Sequence, residues 1–204
     1  MDSWNRWRDD VFGDPYLVWH DGPDFRRLLS LPPEEVARML PAGLDAEDPV
    51  AALSILAMAE EGRAPQDAEA LLRTAAATAT GTFLVRVAQA LNALTGDESW
   101  AEPIASVLGS QEFWGVRIDA AIALATFTPT VPLIQTLDRA VRDPEYLVRY
   151  HSANALLRYA GRRSDISNLK LFKKITADDR ASWAEAADKL TSDALTRVSN
   201  TQDP

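Results

Sequence analysis

The chain has 204 residues, enough for one compact domain or a short repeat array. It has no cysteine, which excludes disulfides and thiolate zinc sites, and its 47% apolar and 25% charged residues are ordinary for a soluble globular protein. A net charge of −9 works against nucleic-acid binding, which relies on Lys and Arg to neutralise phosphates, and favours a basic protein partner.

Residues 1–8 carry charges and tryptophans in place of an apolar stretch, so no secretory leader is expected. Apolar runs such as 50–59 are too short and alanine-rich to span a bilayer, and the expected location is the cytoplasm. Residues 1–30 hold Trp4, Trp7, Phe12, Tyr16, Trp19 and Phe25. This density reads as an N-terminal cap segment, with a partner-binding surface as the alternative. His20, in the run Trp19-His20-Asp21-Gly22-Pro23, is expected in a turn.

From residue 31 onward the chain reads as paired helices. Residues 34–40 and 50–61 form a weak first pair. Three later segments align without gaps, at Val85-Arg86, Val116-Arg117 and Val148-Arg149, their arginines 31 and 32 residues apart. The same step lands near Arg180, and each arginine has an alanine four residues on: Ala90, Ala121, Ala153 and Ala184. Leu71, Ile104, Leu137 and Leu171 form a second column ahead of the first, so each unit holds an A helix and then a B helix. Asp48-Pro49 and Asp143-Pro144 read as N-caps followed by proline at the first helical position, and Gly62, Gly96 and Gly161 suit positions just past helix ends. The alternation of a strand is nowhere sustained. The expected organisation is a cap over residues 1–30, a repeat domain over 31–195 and a frayed tail over 196–204.

The run Asp143-Pro144-Glu145-Tyr146-Leu147-Val148-Arg149, continuing to Ala153-Asn154-Ala155-Leu156-Leu157, resembles a HEAT-like repeat of the short bacterial type. The copies at Arg86 and Arg117 keep the Val-Arg pair and alanine run but have Thr80-Gly81 and Gln111-Glu112 where Asp-Pro stands in the fourth. The resemblance covers about residues 31 to 190. It implies an all-α fold, a right-handed α-solenoid of about five helix pairs with B helices lining a concave face. It implies binding of protein or nucleic acid far more often than catalysis.

On a helical wheel of about 100° per residue, Arg86, Arg117 and Arg149 fall inside the core-facing arc beside the valine and alanine columns. A charge there needs a partner, so the column reads as structural, with Asp143 the expected partner of Arg149. The residues two, five and nine places after each arginine form a stripe on the opposite side. It runs Ala88, Leu91 and Thr95; Asp119, Ile122 and Thr126; His151, Asn154 and Arg158; Ser182, Glu185 and Lys189. If B helices line a groove, Asp119, Ile122, His151, Asn154, Arg158, Glu185 and Lys189 are the expected partner contacts. The competing reading is an ordinary solvated face.

No nucleotide loop, nucleophile elbow or metal-ligand spacing is present, His151 has no second histidine near it, and no catalysis, metal or cofactor is expected. The leading expectation is a non-catalytic protein-binding module, in its concrete form an immunity protein or antitoxin covering a basic toxin. The alternative is a HEAT-like DNA-binding protein or DNA glycosylase, for which Trp114, Asp119 and Trp183 echo the groove residues of the similar alkylpurine enzymes. A phycobilin lyase-like or chaperone role rests on repeat type alone.

Overall fold

The structure, a computed structural model, describes residues 3–163 and 169–202. Among them every regular element is helical, with no strand. Its helices are α1 (Ser3–Phe12), α2 (Pro15–Asp21), α3 (Phe25–Ser30), α4 (Pro33–Asp45), α5 (Pro49–Glu60), α6 (Ala68–Ala76), α7 (Gly81–Thr95), α8 (Ala101–Leu108), α9 (Trp114–Leu124), α10 (Val131–Ala140), α11 (Tyr146–Tyr159), α12 (Leu169–Ile175) and α13 (Arg180–Gln202). A 3₁₀ turn, Glu98–Trp100, follows α7. The helices gather into two compact units, Met1–Trp100 and Ala101–Pro204.

In the first unit, local chemistry sets the helix ends. The Asp48 carboxylate accepts the Val50 N–H at 2.9 Å, and Pro49 supplies the preset φ of the first helical residue. At its far end α5 closes in a Schellman motif: Arg63 N–H bonds Met58 O at 2.8 Å and Gly62 N–H bonds Ala59 O at 3.0 Å, with Gly62 at φ +64°. Only three residues join α4 to α5, so the contacting helices must reverse direction. α6 and α7 form a second pair, and the two pairs stack with α4 against α6 and α5 against α7. Leu40 and Leu44 of α4, Ile55 and Met58 of α5, Leu72 of α6 and Phe83, Val87 and Leu91 of α7 share one continuous apolar core.

The aromatic N-terminus belongs to that core. Trp4 is 1% exposed, tilts against Trp7 at 5.4 Å, and a ring series continues through Phe12 to Phe25. Both indoles, Trp4 buried and Trp7 half-buried, keep polar partners: Trp4 donates to Asp48 at 2.8 Å and Trp7 to Glu35 at 2.8 Å. Arg8 adds an ion pair to Asp48 at 2.9 Å. These bonds tie α1 to the first helix pair. Trp4 fits because Gly43 carries no side chain: a Cβ there would lie 2.7 Å from the ring and 2.7 Å from Ala51 Cβ. Tyr16 and Leu17 of α2 stay exposed. The expected turn at His20 is helical backbone, and the chain breaks one residue after α2 at Gly22, whose φ of +81° suits glycine.

In the second unit, α8 pairs with α9 and α10 with α11, and again like stacks on like, α8 against α10 and α9 against α11. The arginines carry the clearest sign of repetition. Arg117 donates to its own loop carbonyl at Glu112, five residues back, at 3.1 Å, and reaches forward to the Asp143 carboxylate. Arg149 donates to Pro144 O, five residues back, at 2.9 Å, and reaches forward to Ile175 O at 2.8 Å. Both forward partners stand 26 residues ahead. Ala121 and Ala153, four residues after these arginines, are fully buried.

Three expectations need correction. Asp143-Pro144 does not begin α11: Glu145 is the N-cap, accepting the Leu147 N–H, while Asp143 accepts the Glu145 N–H at 2.8 Å and spends its other oxygen on Arg117. Its carboxylate thus serves the preceding helix, and Arg149 takes its backbone carbonyl at 2.8 Å. Arg180 is not the fifth member of the arginine column; it is exposed at the first turn of α13. The buried set Ser152, Ala153 and Leu156 recurs 34 residues later as Ala186, Ala187 and Leu190, which puts Trp183 in the arginine's place. Finally, residues 196–202 are no frayed tail, because α13 continues to Gln202 and buries Val198.

Candidate functional site

The predicted contact stripe divides by helix. On α7 it is core: Ala88 and Leu91 are fully buried, and Thr95 bonds back to Leu91 O at 2.7 Å. α5, α6 and the 3₁₀ turn all pack against α7, which leaves it no free face along this line.

On α9 and α11 the stripe reaches solvent. The offset of 32 between Arg117 and Arg149 puts Asp119 level with His151 and Ile122 level with Asn154 on packed neighbours. Asp119 and His151 are half-buried, and their side chains act on each other: burial lowers the imidazole pKa from its ordinary value, while the Asp119 charge pulls it back up. Ile122 is 43% exposed and Arg158 is exposed. Asn154 is half-buried, and its Oδ1, like the Ser152 hydroxyl, is shut off from solvent without a hydrogen-bond partner among the described residues.

On α13, exposed Glu185 is paired with Lys174, and exposed Lys189 with the largely buried Asp193 at 2.5 Å. With Trp183 in the arginine's place, Glu185 becomes level with His151, whereas Lys189 leaves the stripe and Asp188 enters it. Asp188 is itself paired with Arg142 at 2.7 Å. The structure therefore brings Asp119, Ile122, His151, Asn154 and Arg158 together on one face, with Glu185 beside it and Lys189 outside the aligned positions.

Outside the stripe, aromatic side chains stand exposed at the starts of α9 and α11. Phe113 is 60% exposed and lies 4.7 Å from Trp114, itself 39% exposed at the start of α9; Tyr146, 43% exposed, starts α11. Trp114 and Tyr146 each precede their arginine by three residues, and in α7 Phe83 holds that place but is buried. An aromatic column was thus present in the sequence, and it reaches solvent only in the second unit. Tyr150 adds an edge contact to Phe172 of α12 at 6.5 Å.

Of the three groove residues suggested for a DNA enzyme, Trp114 is a partly exposed helix start and Asp119 faces His151. Trp183 is buried beneath Arg149, whose guanidinium carbon lies 4.0 Å from the ring centre. No group of three or more His, Asp or Glu side chains among the described residues is placed to hold a metal ion, and none of the described helices is long and apolar enough to cross a membrane.

Charge is partitioned between the units. Residues 1–100 carry eight arginines, no lysine and seventeen acids, a net of −9. Residues 101–204 carry thirteen basic and thirteen acidic residues and are neutral. Compared with protein-family models, curated proteins and solved structures, the chain matches none.

Proposed function

We propose that this chain is a non-catalytic protein-binding module, a right-handed HEAT-like α-solenoid whose α9–α11 face takes a basic protein. The pairing rule that recurs in both units, with A helices stacked on A and B on B, supports the solenoid reading. One observation carries the functional reading: on α9 and α11, side chains with polar heads (Asp119, His151, Asn154, Arg158) share a stripe with exposed Ile122, and exposed Trp114 and Tyr146 stand at the starts of the same helices. Protein interfaces favour this mixture of aromatic anchors with a polar rim.

The acidic first unit suits a basic partner by steering encounter through long-range attraction. An immunity protein or antitoxin covering a basic toxin is the concrete version. Affinity capture from the native host, with bound proteins identified by mass spectrometry, tests it. A basic protein held by the natural chain and lost with Ile122→Arg is the expected result. Equal capture by the variant defeats the face assignment, and retention of duplex DNA at low salt favours the nucleic-acid reading instead.

A further inference from the structure

We infer that α12 is a docking surface for an anionic phospholipid bilayer. The inference stands apart from the reading of the α9–α11 face. Residues 169–177 hold three of the chain's four lysines and no acid, in a chain of net charge −9. Lys170, Phe172 and Lys173 are exposed, whereas Leu171 is half-buried and Ile175 fully buried. On a helical wheel Lys173 lies opposite Ile175, with Lys170 and Phe172 to either side of it. The helix therefore turns two lysines and an aromatic ring away from the body. Tyr150 stands at right angles to the Phe172 ring at 6.5 Å and steadies it there.

The neighbouring acids are already engaged. Glu185 is paired with Lys174, and Asp179 accepts the Ser182 N–H and hydroxyl at 2.8 Å. The Asp178 charge acts on Arg149. Lys173 has no acidic partner among the described residues, nor do exposed Arg163 and Arg180, which bracket α12 in the chain. Charge and ring together select a bilayer. Headgroup phosphates offer the lysines a sheet of negative charge, and the boundary beneath accepts an apolar ring, which a dissolved phosphate cannot. The seven-residue helix is about 10 Å long, too short to follow the several phosphates that hold a duplex. Acids farther off are screened beyond a Debye length of about 8 Å in physiological salt, so the contact forms locally on an acidic chain.

Vesicle flotation of the full chain is the test. It uses phosphatidylcholine alone and phosphatidylcholine with about 40% phosphatidylglycerol, in about 0.05 M and about 0.3 M salt. Recovery with the anionic vesicles at low salt is expected, with none on phosphatidylcholine and a several-fold fall at the higher salt. Lys170→Glu and Lys173→Glu should each weaken lipid partition about fivefold or more, and Phe172→Ser by a similar factor. Arg38→Glu, an equal change of net charge at an exposed site on α4, should leave partition within about twofold. The lysine reversals are at exposed positions and should leave the circular dichroism melt unchanged, which separates lost binding from lost fold. No recovery with anionic vesicles at low salt, or equal recovery on phosphatidylcholine, overturns the proposal. So does indifference to both lysine reversals, or an equal loss with Arg38→Glu. A gel shift that retains DNA at low salt and loses it with Lys173→Glu, while vesicles stay unbound, assigns the lysines to nucleic acid and overturns it as well.

Discussion

The guanidinium carbon of Arg149 lies 4.0 Å from the centre of the Trp183 indole, so a charged side chain only 3% exposed is held between an aromatic face and three backbone carbonyls. Ile175, Asp143 and Pro144 accept its N–H groups at 2.8, 2.8 and 2.9 Å. Burial lowers the Arg149 pKa from its ordinary value, against the pull of Asp143, Glu145 and Asp178, and the group stays cationic. One side chain thereby joins α11 to the end of α12 and the start of α13.

Arg149→Ala leaves those carbonyls without their donors and Trp183 without its cover. Loss of about 3 kcal/mol or more of unfolding free energy is expected in urea titration. Arg149→Lys should recover only part, because an ammonium cannot reach three acceptors with a planar fork. A loss below about 1 kcal/mol for the alanine variant contradicts this account.

The Arg117–Asp143 pair makes a second prediction. Both side chains are mostly buried, at 16% and 11% exposure, and Asp143 also accepts the Glu145 N–H that shapes the α11 start. Arg117→Ala and Asp143→Ala should therefore be strongly non-additive, with a coupling of about 1–2 kcal/mol in a double-mutant cycle at low salt. Additivity within about 0.3 kcal/mol would reduce the pair to a surface contact.

The period was readable because Arg117 and Arg149 make the same two reaches, and such paired demands hold residue types at fixed spacing. The fifth copy was misplaced because its signal residue changed: Trp183 stacks on Arg149 where an arginine was sought, and Arg180, at the expected step, is merely the first turn of a helix. Asp143-Pro144 has the composition of an N-cap, yet its carboxylate is claimed by a side chain 26 residues earlier, a tertiary fact outside local pattern. The exposure of the candidate face was only partly legible. Polar residues at the right angles named Asp119, His151 and Arg158, but whether Phe83, Trp114 and Tyr146 meet core or water depends on neighbours that periodicity does not specify.

The alanine column is tightly closed. Ala121 and Ala153 are fully buried on α9 and α11, which pack together. Ala121→Leu or Ala153→Leu adds three carbons where no room exists and should cost about 1–3 kcal/mol, read as a lowered thermal midpoint. Unchanged melting of both variants contradicts close packing at these positions.

Gly43 gives a comparable test in the first unit, since Gly43→Ala drives a methyl to 2.7 Å from both the Trp4 ring and Ala51 Cβ. A helix-interior Gly→Ala change ordinarily stabilises by roughly 0.5–1 kcal/mol, so a net loss reports the clash directly. About 1–3 kcal/mol is expected, with increased Trp4 exposure in fluorescence quenching. Stabilisation would mean that α1 does not pack on α4 as described.

His151 sets the pH prediction. Its folded pKa lies below the ordinary value because burial disfavours the imidazolium more than Asp119 favours it. The unfolded chain therefore binds more protons than the folded chain once pH falls through the ordinary histidine range near 6.5, and stability must drop on acidification. The contribution is fully present above that range and is lost between the unfolded and the lower folded pKa. Urea midpoints should decline from pH 7.5 to 5.5, and His151→Gln, which keeps a neutral polar side chain, should flatten the decline. Carboxylates depressed by their partners, such as Asp24 held near 2 by Arg26, lose their contribution only at more acidic pH and leave this window to histidine. An unchanged slope in the variant would place the titration elsewhere and remove His151 from the half-buried position facing Asp119.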